Sequence, residues 1–376
     1  MKFIHFGCWN KGNCNLENIN YPISAILKNI NDDINENAKE GSYNIPYDFL
    51  VVAGDNYYPE KSQDGFKKLD YNNLKSGFDC LNSIPLHKYL INGNHEYNDL
   101  YELNTSITNY EKIPSKKEKC LNLKIQKELL SDNTNFTLFN GVIDIYDEIE
   151  KLLVIMIDTT IYEKAKKIQL ECYQNVFENF PEDIELTIKN LRIHQEMEVK
   201  NTLEKYPLAE KIIFIGHHPI IWCRFKNDND LFDSTQELIT FFKNLSSYFT
   251  EREINYLCAD THFYQKGVVT FPETSLKITQ YIVGTGGSSC DNICVEKKEF
   301  INEDIIYQVE DQLQEYGYLI YDNGEFFFRI VDYGLALYSR KNSGHLTILP
   351  VTTDNKKVCN PKKIIGSYAK KYKIIY

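Results

Sequence analysis

Four short runs in this chain hold residue types that bind cations. They are Gly54-Asp55-Asn56-Tyr57-Tyr58, Gly93-Asn94-His95-Glu96, Gly216-His217-His218-Pro219 and, after Cys258, Ala259-Asp260-Thr261-His262. Carboxylate, amide oxygen, imidazole and phenol together make a mixed oxygen and nitrogen donor set, suited to a pair of divalent or trivalent metals. Any one run alone reads as a turn or a satisfied polar pair. All four, each closing an apolar strand, read as one site. In open α/β sheets ligands bind beyond the carboxyl ends of strands, and glycine lets the chain turn sharply there.

The elements that must position these runs follow from hydrophobic patterning. Apolar segments at 2–6, 49–53, 88–91, 152–157, 211–215, 256–258 and 281–283 read as strands, the last leading into Gly284-Thr285-Gly286-Gly287. Pro22 opens a helix whose Ile23, Ile26, Leu27, Ile30 and Ile34 share one face. A second helix is expected over 186–205, and a third from an Asp233 cap to about Asn244. Residues 290–314 read as acidic and irregular, and 318–321, 326–331 and 335–339 as strands. Residues 98–140 read as a polar insertion with some helix, and the end of the chain from Asn360 is basic. Alternating strands and helices predict an α/β protein.

Composition excludes other classes. At 43% hydrophobic and 25% charged residues, the 376-residue chain is not a disordered one. A net charge of −11 argues against binding nucleic acid through a broad basic face. No apolar run reaches the roughly 18 residues of a membrane span, and the opening Met-Lys-Phe-Ile-His segment lacks the apolar core of a signal peptide. The ten cysteines contain no C-x-x-C pair and are sparse for a disulfide scaffold. Cys290 and Cys294, the nearest couple, read as loop thiols. A soluble intracellular protein with most thiols reduced is the expectation.

The ordered runs resemble the purple acid phosphatases, within the larger calcineurin-like metallophosphoesterase superfamily. Gly-Asp-Asn-Tyr-Tyr, Gly-Asn-His-Glu and Gly-His-His-Pro match the family's motifs closely. Leu257-Cys258-Ala259-Asp260-Thr261-His262 stands where the family has Gly-His-x-His, and Phe6-Gly7-Cys8-Trp9-Asn10 where it has a Gly-Asp-Trp-Gly-like run. Ile157-Asp158-Thr159 resembles a further family strand end. The resemblance implies a two-sheet β-sandwich flanked by helices, a four-layer αββα fold. It implies a phosphoesterase domain over 1–340, followed by an extension over 341–376.

It also implies roles. Asp55 would bridge two metal ions, iron paired with iron, zinc or manganese. Tyr58, as phenolate, and His262 would bind the first ion. Asn94 and His217 would bind the second. His95 would assist the leaving group, with Glu96 either its orienting partner or a solvated surface carboxylate. Asp158 reads as a supporting or capping residue and not as a ligand, and His218, if its strand continues, points away from the site and packs behind it. Trp9 and Tyr57 would either line the cleft mouth or pack inside. Two positions depart from the family. Cys8 replaces an Asp ligand and is either a thiolate ligand or a small buried residue. Asp260 replaces a His and is either a hard anionic ligand or a turn cap.

The implied reaction is phosphomonoester hydrolysis by a metal-bound hydroxide at a dinuclear site. The substrate would be a phosphorylated small molecule or a phosphoprotein. The alternative is a phosphatase-like scaffold or binding protein with impaired catalysis.

Overall fold

Strands Phe49–Ala53 and Leu152–Met156 are buried at every residue. Parallel strands covered on both faces read as unbroken apolar runs, as these do. A computed structural model describes residues 1–12, 14–17, 21–39, 47–58, 60–61, 67–97, 101–103, 120–163, 170–173, 176, 180–182, 184–226, 229–288, 290–294, 298–331, 341–342 and 345–346.

Two sheets dominate. The first has six strands in the order Glu325–Ile330, Gly317–Asp322, Lys2–Phe6, Phe49–Ala53, His87–Ile91, Phe136–Leu138. The second has eight, in the order Glu299–Ile301, Ile306–Leu313, Tyr264–Phe271, Leu276–Val283, Glu253–Cys258, Lys211–Ile215, Leu152–Met156, Ile143–Asp147. The motif-bearing strands are the parallel ones. Lys2–Phe6, Phe49–Ala53 and His87–Ile91 run parallel in the first sheet. Leu152–Met156, Lys211–Ile215 and Glu253–Cys258 do so in the second. Parallel neighbours end on the same side, so each sheet delivers its motif loops to one edge.

Strand alternation divides the core. Leu152, Val154 and Met156 join Phe3, Phe49 and Val51 between the sheets. Leu153 and Ile155 join Phe214, Leu191 and Phe242 under helices Ile188–Lys205 and Gln236–Leu245. On the other side, Ile23, Ile26, Leu27 and Ile30 of helix Pro22–Lys39 and Leu74 and Phe78 of helix Tyr71–Asn82 pack with the first sheet. The layers run helix, sheet, sheet, helix, as the resemblance implied.

Several local expectations need correction. The third helix begins after Thr235, and Asp233 lies in strand Asn229–Ser234. Residues 290–314 are not irregular throughout: they contain strands Glu299–Ile301 and Ile306–Leu313. Strand Ile306–Leu313 alternates Tyr307, Val309 and Leu313 inward with Gln308 and Glu310 outward. That period of two was obscured by the acidic composition. The strand expected at 335–339 lies outside the described residues. So does the 341–376 extension, apart from the paired strands Lys341–Asn342 and His345–Leu346. Of the 98–140 insertion, helix Leu121–Leu130 and the chain from Cys120 on are described, with strand Tyr101–Leu103.

The cysteines also differ from expectation. Cys120 is bonded to Cys172, and Cys223 to Cys294. Cys294 therefore pairs across the fold and is not a loop thiol coupled with Cys290. Cys8, Cys14, Cys80, Cys258 and Cys290 form no disulfide. Among the described residues no helix is long and apolar enough to cross a membrane.

Candidate metal centre

Asp55 follows Phe49–Ala53 through Gly54, and both adopt left-handed backbone, with φ of +83° at Gly54 and +52° at Asp55. A Cβ on Gly54 would stand 2.6 Å from His217 Nδ1 and 2.8 Å from the Gly93 nitrogen. Only glycine lets the loops of the two sheets approach this closely. Cys8 and Asp260 share the same unusual backbone, at +55° and +53°. Left-handed geometry costs a non-glycine residue about 1–2 kcal/mol, and such strain concentrates at functional sites. Three of the predicted ligands carry it.

The Asp55 carboxylate is the hub. The Tyr58 hydroxyl donates to its Oδ2 at 2.6 Å, and the His95 backbone nitrogen donates to Oδ1 at 3.1 Å. His217 Nε2 lies 3.3 Å from Oδ1. Burial opposes the charge on Asp55, but His217 and His95 outweigh it and hold the group well below the usual carboxylate range. On one side of Asp55, the Tyr58 hydroxyl also meets His262 Nε2 at 3.1 Å. Cys8 is fully buried, and its thiol interacts with the same hydroxyl. Burial and the charges of Asp55 and Asp260 push the Cys8 thiol well above its ordinary value. Burial and Asp55 do the same to the Tyr58 phenol. The Asp291 carboxylate accepts from the His262 backbone nitrogen at 3.2 Å.

On the other side stand His217, Asn94 and Asp260. His217 Nδ1 sits 2.7 Å from the Ala53 carbonyl of the opposite sheet, which turns Nε2 toward Asn94 Oδ1 at 3.2 Å and Asp260 Oδ1 at 3.7 Å. A ring nitrogen engaged by a carbonyl fixes the orientation in which the other nitrogen faces a metal. Burial works against a charged ring, but Asp55 and Asp260 overcome it and push His217 up to about 10. Two carboxylates this near a buried imidazole form a cation trap. Ligand atoms of Cys8, Asp55 and His217 lie within 4.8 Å of one another, as do those of His217, His218 and Asp260. The donors are oxygen, nitrogen and sulfur, and they converge from both sheets. The residues present fit a pair of cations.

His95, on the single-turn helix Asn94–Tyr97, is part-exposed at the rim, its ring 4.8 Å from that of Tyr58. Glu96 is 1% exposed, so the surface reading is wrong. Its carboxylate accepts from the backbone nitrogens of Asp55, Asn56 and Gly93, at 3.1, 2.9 and 2.7 Å. It accepts also from Asn122 Nδ2 and Gln126 Nε2, at 3.1 and 3.3 Å. Burial and Asp55 push it up to about 7, against those donors. Glu96 therefore acts on the loop that carries Asp55.

Trp9 and Tyr57 do not line a mouth. Both are buried, Trp9 donating to Asn56 Oδ1 at 3.0 Å and Tyr57 accepting from the Asp70 nitrogen at 2.8 Å. Asp158 caps the turn at Thr160 and accepts from Tyr97. His218 does not point away: the chain has left its strand by this residue. Contributors with no motif are Asn122, Gln126 and Glu163. Asn122 and Gln126 are spaced i, i+4 on one helix, a signal too common to single out.

The profile of the calcineurin-like phosphoesterase family matches residues 1–264. Among solved structures, the chain is similar to a purple acid phosphatase isolated from yellow lupin (Lupinus luteus) seeds. The identity is 12% and the TM-score 0.50, covering 88% of this chain and 51% of that one. It is also similar to PhoD (12% identity, TM-score 0.47, covering 94% and 72%). A third is a 5'-nucleotidase from Candida albicans SC5314 (12% identity, TM-score 0.37, covering 74% and 44%). At this identity the likeness bears on the fold alone. The chain spans about half the length of the lupin protein. No curated protein matches it in sequence.

Proposed function

The chain belongs to the calcineurin-like phosphoesterase family, and from that premise we propose that it hydrolyses phosphomonoesters at a two-cation site. The observation that carries this reading is the convergence of Tyr58 and His262 on one side of Asp55, and of His217, Asn94 and Asp260 on the other. Asp55 would lie between the two positions; Tyr58, His262 and Cys8 would hold one cation, and Asn94, His217 and Asp260 the other. The pair, iron with iron, zinc or manganese, would supply Lewis acidity, an activated water and charge neutralisation for the phosphoryl group.

The chain's own groups do the rest. Glu96 fixes the Asp55 loop. Cys8, Tyr58 and His217 give up protons on loading, since metal ligands must be deprotonated. His95, at the rim, gives a proton to or stabilises the leaving oxygen. The substrate is a phosphorylated small molecule or a phosphoprotein. We take 1–340 as the phosphoesterase domain and 341–376 as an extension. The two disulfides weigh against the intracellular location expected from the sequence, because cytosolic thiols are kept reduced.

The alternative, a scaffold with impaired catalysis, is favoured by the buried Cys8 thiol, whose proton is held tightly where the resembled family has a carboxylate. Three measurements separate the two: metal content per chain, the visible spectrum, and turnover of an aryl phosphate. Two cations, a phenolate-to-iron absorption band and turnover support the enzyme. His95→Ala should then lower kcat by roughly 10²–10⁴ with metal content kept, whereas Asp55→Ala should empty both positions. A wild-type protein with neither metal nor turnover after growth with iron, zinc and manganese leaves the scaffold reading.

A further inference from the structure

His218 follows the predicted ligand His217 and is itself 3% exposed. In an extended strand its ring would lie on the opposite face. Here the strand ends at Ile215, and the backbone nitrogens of His217 and His218 both donate to Thr159 Oγ1, at 2.9 and 2.8 Å. That shared anchor turns both residues toward the site. The two rings stand 4.8 Å apart and perpendicular, at 89°. One ring nitrogen of His218 lies within 4.8 Å of both the His217 nitrogen and an Asp260 oxygen.

The ring is only half satisfied. Nδ1 contacts Thr159 Oγ1 at 3.3 Å. Nε2 is buried and makes no hydrogen bond. The nearest carboxylate oxygen, Glu163 Oε2, is 3.6 Å away, beyond hydrogen-bond range, and is itself buried without a hydrogen bond. Buried polar atoms in folded proteins nearly always have partners, and an orphan beside other donors calls for an explanation such as an ion.

We propose that His218, through Nε2, is a ligand of the cation held by His217 and Asp260. This rests on the two-cation reading above. It gives that position a second imidazole, where Asp55, Asn94 and Asp260 supply only oxygen. A site with two nitrogens favours zinc or iron over magnesium, which prefers oxygen alone.

The test titrates zinc into chelator-stripped protein by calorimetry, with metal content measured in parallel. The wild type should bind two ions. His218→Ala should keep one and weaken the other by more than the roughly 10–100-fold typical of losing an outer partner of a ligand. Cobalt-loaded His218→Ala should show an altered visible band, which a role confined to packing would not produce. Thermal unfolding of the metal-stripped proteins checks that the variant folds. His218→Gln, which keeps a polar group of similar size but ligates poorly, gives the same readout if the alanine variant does not. Two ions bound by both His218 variants with wild-type affinities overturn the assignment and leave the two-cation reading intact. A wild type that binds no ion overturns both.

Discussion

Glu96 is the residue on which the loop geometry most depends. Five donors point at one buried carboxylate, three of them from the backbone of the Asp55 and Gly93 turns. Glu96→Ala leaves those donors buried and unmet, at about 1–3 kcal/mol for each that water cannot reach. We expect a loss of at least about 3 kcal/mol in chemical unfolding, together with weakened metal binding, though Glu96 touches no predicted metal position directly. His5 offers a separate test. It is fully buried in the first strand, and burial lowers its pKa from 6.5 to about 4. Between these values the unfolded chain binds a proton that the folded chain refuses. Stability therefore falls as pH drops from about 6.5 to 4, by about 3 kcal/mol from this group. His5→Gln should lose that part of the pH dependence when the two proteins are compared at pH 7 and pH 4. Parallel curves for the two would show that His5 is not held neutral.

At the scale of elements, the disulfides tie segments with little regular structure to the sandwich. Cys120 precedes helix Leu121–Leu130, which supplies Asn122 and Gln126 to Glu96, and its partner Cys172 lies in the short helix Leu170–Tyr173. Cys223 lies in strand Ile221–Lys226, directly after the His217 turn, and holds it to the chain near Cys294. The closed loops span 52 and 71 residues of separation, and removing either bond should cost about 2–5 kcal/mol. The denatured, unreduced protein should titrate with four fewer thiols than the denatured, reduced one. Equal counts would mean that the pairs do not form. Sequence periodicity read the central strands well because they are apolar throughout. It missed Tyr264–Phe271 and Ile306–Leu313, antiparallel strands at the outer part of the larger sheet, where polar residues alternate with buried ones.

For the whole molecule, the candidate ligands come from both sheets. Asp55 and Asn94 follow strands of the six-stranded sheet, and His217, Asp260 and His262 follow strands of the eight-stranded one. Cations bound between them would clamp the sandwich at this edge. A chelator should then lower the thermal midpoint, and re-addition of metal should restore it. Ligand in thousandfold excess over its dissociation constant stabilises by about 4 kcal/mol. A midpoint indifferent to chelator would argue that the sheets are held here by protons and hydrogen bonds alone.

The residues at strand ends, and hence the layered α/β fold and the identity of most candidate ligands, were legible in the sequence. Each rests on a local pattern: an apolar strand, a glycine, then a donor. Three things were not legible. The burial of Glu96 beneath the Asp55 loop depends on Asn122 and Gln126, some thirty residues away. The disulfide partners depend on how distant loops pack. The inward turn of His218 depends on one hydroxyl, Thr159, reached across the sheet from another strand end. Local pattern determines which atoms are offered. Long-range packing alone decides which of them meet, because contacts between segments far apart in the chain leave no periodic trace in it.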